Sequence, residues 1–362
     1  MAVSACGGND AASVDVAAAG NLPTPTPVPI PAPAPAPGAI ANLGVGQWME
    51  LPNTKLRSVS PDPTDQVENV VNAWSGGTVD TSRGRLLIWG GGHNDYGGNE
   101  VYALDVGSMK IQRVVEQSPQ AGQTACSSAL PDGTPAARHT YDGLTYIAHA
   151  DRFFSVGGAL SKCGDVDFAT WTYDFGAKKW TMNIANSPVA VGSYGYMAVY
   201  DPATKLVYVN DTNNFMSYDF DTNTYTRRAG GTNVNNYKSA TIDTKRRKYV
   251  MIGNDGVKVI DLSTYQMSSM ATTNTPSLVN ASAPGVAYDP VADRIVAWSG
   301  GSNVYALNMD TGAWTQVATN AGPTAAAPGQ GTYGRWGYIP QYRVFALINN
   351  VDQNAWVFRL AN

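Results

Sequence analysis

The chain has 362 residues, 43% of them hydrophobic and only 14% charged, enough for one large β domain or two ordinary ones. Its 24 Lys and Arg against 28 Asp and Glu leave a net charge of -4, which excludes a general attraction to nucleic acid or to an anionic membrane surface. With 37 glycines, 19 tyrosines and 9 tryptophans the composition favours strands and turns, and no apolar run reaches the roughly 18 residues needed to span a bilayer.

At the amino end, Val3-Ser4-Ala5-Cys6-Gly7 resembles the box at which bacterial signal peptides are cut and the cysteine lipidated. From Pro23 to Pro37 proline stands at nearly every second position, an extended spacer that cannot build a core. Residues 1–45 are therefore expected to be a lipoprotein-like start and disordered tether, and residues 46–362 the folded domain. The expected address is exported, periplasmic or at the cell surface, with the membrane met only through a lipid on Cys6. In that setting Cys126 and Cys163 are expected to form a disulfide. No Cys/His grouping has zinc-site spacing, so no metal is expected, and neither is an oligomer.

From about residue 70 a unit recurs every 40 to 70 residues, the period of propeller blades. Its first half reads TVDTSRGRLLIWGG near Asp80, YIAHADRFFSVGG near Asp151 and VYDPATKLVYVND near Asp201, then TIDTKRRKYVMIGND near Asp243, AYDPVADRIVAWSGG near Asp289 and YIPQYRVFALINN near Pro340. A second hairpin follows in each of the first five, so a unit is a four-stranded antiparallel sheet. The sixth stops one strand short, at Val357-Phe358-Arg359-Leu360, while Gly46 to Leu51 reads as an outer strand without a partner. Joining the two closes the ring and removes an exposed edge. The expectation is an all-β, six-bladed β-propeller closed by an N-terminal strand. Seven blades is the alternative, should the excursion from Gln117 to Ala137 hold strands.

In such a ring, the loop from second to third strand and the approach to the next inner strand open on one face. His93, Asn94 and Tyr96 fall in the first kind of loop in blade one, and Arg138-His139 and Tyr141 on the approach to blade two. Other approaches carry Asn72 and Trp74, Tyr194 and Tyr196, Tyr237 and Lys238, and Tyr333, Arg335 and Trp336. His149 lies in a first-to-second turn on the opposite face. Aromatic rings offer surfaces to sugars, and Arg and Lys offer charge-assisted hydrogen bonds to carboxylate or sulfate. The set suits β-elimination from a uronic acid polymer without a cofactor. Arg138 would hold the carboxylate, His139 or His93 would take the proton, and Tyr194 or Tyr196 would protonate the leaving oxygen. Tyr96, Asn94, Trp74, Tyr141, Tyr237, Lys238, Tyr333, Arg335 and Trp336 would bind the substrate, an acidic polysaccharide or other glycan.

The doublets Gly90-Gly91, Gly157-Gly158 and Gly300-Gly301, with Tyr and Trp further along several units, resemble the kelch repeat. GGGHNDYGGNEVYALD followed by ARHTYDGL resembles the propeller polysaccharide lyases of the ulvan-lyase type, and that likeness implies roles for His93, Arg138, His139 and a tyrosine. Kelch propellers also serve as copper oxidases, sialic acid epimerases and non-catalytic glycan- or protein-binding platforms, so fold alone does not choose among them.

Overall fold

A computed structural model describes residues 38–62, 64–92, 95–122, 126–183 and 194–361. Six four-stranded antiparallel sheets form a six-bladed β-propeller. The inner strands are Gly76–Asp80, Leu144–Ile147, Met197–Asp201, Ser239–Asp243, Gly285–Asp289 and Trp336–Ile339, each lying against the next around the ring. Blade six takes its fourth strand from Gln47–Glu50, paired antiparallel with Trp356–Arg359 from Gln47 opposite Arg359 to Glu50 opposite Trp356. Trp48 fixes that closure: its ring lies 5.1 Å from Phe358 and 5.6 Å from Trp336, and its indole N–H donates to the Ser302 carbonyl at 2.9 Å.

The repeat has a local cause. Asp80, Asp201, Asp243 and Asp289 end their inner strands with side chains turned into the following hairpin, where Oδ1 accepts backbone N–H groups of Ser82, Ala203, Arg246 and Val291 at 2.8–3.1 Å. The residue just before each second strand is left-handed: Gly84, Asp151, Lys205, Arg247, Asp293 and Arg343, with φ between 51° and 63°. This is the tight hairpin bend that a right-twisted strand pair favours. Several of the same side chains then tie blade to blade, as Arg83 to Asp151 at 2.7 Å, Arg247 to Asp201 at 2.5 Å and Arg246 to Asp293 at 2.6 Å.

The core lies between neighbouring blades. One cluster joins blades one and six and receives Ile40, Leu43, Leu51, Leu56, Val67, Val70 and Val71 from the segment ahead of blade one. The excursion after blade one adds no blade. It ends in a two-stranded ribbon in which Arg138 and His139 pair with Leu160 and Ala159, and the inner strand of blade two begins only at Leu144.

Candidate functional site

Where the chain turns into an inner strand it passes through a left-handed residue at Trp74 (φ 45°), Tyr141 (47°), Ala283 (35°) and Tyr333 (50°). Bulky residues pay for that conformation, so it persists only where the surroundings over-determine it. Here the surroundings are a chain of backbone bonds from blade to blade. Tyr141 N–H donates to the Trp74 carbonyl at 2.7 Å, Ala283 N–H to Tyr237 at 2.9 Å, and Tyr333 N–H to Ala283 at 3.1 Å. The side chains gather over the axis. Tyr141 and Tyr333 meet edge to face at 5.9 Å, and with Ala283 and Trp74 they form a separate apolar cluster that plugs this end of the central channel.

His139 stands beside the plug, its ring 4.9 Å from Trp74 and 6.1 Å from Tyr141. Its Nε2 lies 2.8 Å from Oδ2 of Asp95, whose side chain is one-third exposed while that of His139 is buried. Asp95 also lines a cavity of about 370 Å³ with Asn69, Asn72, Trp74 and Gln330. Above the plug Tyr194 and Tyr237 are exposed, near enough for their phenols, after burial itself, to raise the pKa of Tyr141. The mouth thus offers two exposed rings, a polar cavity rich in amides, and an imidazole oriented by a carboxylate. No known family model matches the chain, and no curated protein matches it either.

The remaining expected site residues are distributed differently. Arg138 is fully buried, paired with Asp167 and donating to the Ser128 and Ala136 carbonyls at 3.0 Å, with its guanidinium over Trp89 and Trp171. Arg335 is equally buried and donates to three carbonyls, Ser75 at 2.9 Å, Ile348 at 3.0 Å and Gly331 at 2.6 Å, so it fastens blade six to blade one. Lys238 is held by Asp255 and the Gly253 carbonyl. The three cations expected at the mouth are thus spent on the scaffold, and the carboxylate-holding role foreseen for Arg138 is not open to it.

Tyr96 is buried with its hydroxyl on Glu100 at 2.7 Å, Tyr196 packs in the core between blades two and three, and Trp336 stacks on Phe345 at 4.8 Å. Cys126 and Cys163 are joined as a disulfide with Cα atoms 5.3 Å apart, which pins the middle of the excursion beside the ribbon of blade two. His149 lies in the exposed turn on the opposite face, stacked on Tyr200. His93, Asn94 and Cys6 fall outside the described residues.

Asn69 and Gln330 were not foreseen, and Asp95 was given no role of its own. Asp95 had a signal, since it shares the glycine-framed loop of His93. Asn69 and Gln330 lie in segments outside the repeat, and only folding brings them to the cavity.

Proposed function

We propose that this is an exported carbohydrate-binding propeller, kelch-like in its glycine doublets, which takes a glycan at the mouth over the plug. The observation that carries the reading is the presence at this mouth of exposed Tyr194 and Tyr237 and of an amide-lined cavity of about 370 Å³. Sugars present C–H faces that stack on aromatic rings and hydroxyls that bond to amides and carboxylates, and the cavity is of ordinary ligand-site size. Electrophoresis through gels containing soluble polysaccharides, neutral and uronate-bearing, tests it. Retardation by at least one polymer is expected, reduced about tenfold in apparent affinity by Tyr237→Ala or Tyr194→Ala. Migration unchanged in every gel overturns the reading.

The His139–Asp95 pair favours a second reading, a polysaccharide lyase. A carboxylate that orients an imidazole makes a serviceable proton acceptor. Because Arg138, Arg335 and Lys238 are engaged elsewhere, this reading rests on the pair alone. Ultraviolet absorbance of unsaturated uronate, followed with a panel of uronate polymers, tests it: a rise abolished by His139→Ala supports a lyase, and no rise with any polymer leaves the binding module.

A further inference from the structure

Beneath the plug, the channel between the inner strands opens on the opposite face, where residues such as Thr81, Pro202 and Pro290 form its rim. It encloses about 320 Å³ and is separate from the mouth described above. Its walls are mostly carbon, with Tyr200, Tyr288 and Tyr338 from three blades, and its lining includes no Lys, Arg or His.

One ionisable carboxyl stands in it. Asp142, seven per cent exposed, belongs to the turn that follows Tyr141 and lines the inner end of the channel. One side-chain oxygen accepts the Ala240 N–H at 2.8 Å, and among the described residues the carboxyl has no other hydrogen bond and no cation. The hydroxyl of Tyr333, buried in the plug, also lacks a hydrogen-bond partner among the described residues and feels the charge of Asp142. A buried carboxyl with a free oxygen is a costly arrangement unless something meets it.

We infer that the channel is a second binding site, for a small organic ammonium ion with a compact apolar body. Its head would donate to the free oxygen of Asp142, and its body would lie among the aromatic and small residues of the inner strands. The ammonium complements the one carboxyl among the described residues of the lining and would favour its charged form, and the carbon-rich wall accepts the body, with tyrosine rings available to the cation. An anion would meet no Lys, Arg or His among the described residues of the lining. The inference stands independently of what occupies the mouth.

Isothermal titration of the full chain with benzylammonium and with its neutral counterpart benzyl alcohol tests it. Saturable binding of the ammonium is expected, about tenfold or more tighter than the alcohol, as a charged hydrogen bond would give. Asp142→Asn should bring the ammonium down to the level of the alcohol. Thr241→Phe, which narrows the channel without altering the carboxyl, should weaken both ligands, and near-ultraviolet circular dichroism checks that each variant is folded. Equal affinity for the two ligands, no saturable binding, or ammonium binding unchanged in the folded variants overturns the inference.

Discussion

Asp142 is a carboxyl whose surroundings are far from water. Burial raises its pKa well above the ordinary carboxylate value, and the single Ala240 N–H works against that only in part. The titratable groups that face it are the phenols of Tyr249 and Tyr333, whose own pKa values burial also raises. A carboxyl with a raised folded pKa lends its full stability below the unfolded value, and that contribution falls away as pH rises towards the folded one. Asp142→Asn should therefore melt close to the parent near pH 4 and above it at pH 8, with a gap that widens steadily between; calorimetry across that range checks it. A gap of constant size would mean that the carboxyl does not carry the pH dependence. At Gly92 a Cβ would run into the Arg138 backbone and the residue is left-handed, so Gly92→Ala should cost about 2–4 kcal/mol in chemical denaturation. Arg335→Ala, which strands three buried carbonyls, should cost about 3–5 kcal/mol in the same measurement.

Among the elements, the hairpin from inner to second strand is the one most fully written in the sequence. An Asp at the end of the first strand, a few turn residues and a left-handed position are local chemistry, and local chemistry needs no partner to be read. Lys205 occupies such a left-handed position in an exposed turn. Lys205→Gly should hold or gain up to about 1 kcal/mol, whereas Lys205→Val should lose about 1 kcal/mol or more, since β-branching resists positive φ. The approaches to the inner strands were legible only in part. They place Trp74, Tyr141 and Tyr333 together as the topology demands, but the pleat is lost where two-residue ribbons and left-handed corners interrupt it. Arg138 therefore turns into blade two, Arg335 into the joint with blade one, and Lys238 towards its own loop. Side-chain direction across so irregular a stretch depends on neighbours that are distant in sequence, and no spacing rule carries that information.

At the scale of the whole molecule, blade count and closure followed from counting strands: a sixth unit lacking its last strand and an unpartnered strand ahead of the first unit imply each other. What the count leaves out is the wrapping of residues 38–72, whose apolar side chains seal the joint between blades one and six. Trp48 lies on the other flank of blade six, three per cent exposed in the core shared with blade five. Trp48→Ala should cost about 3–5 kcal/mol and loosen the closing strand, read as a lowered denaturation midpoint together with faster amide exchange in Gln47–Glu50 and Trp356–Arg359. Retained protection in both strands would show that the main-chain ladder closes the ring without the indole.

Because Gln47–Glu50 is the outermost strand of its blade, the chain reaches the wheel at its circumference. An attachment made through the amino end would hold the disc by its tyre, as a coin is held on edge. The two flat sides would then be approached separately, and an occupant of one would leave the other free to be met.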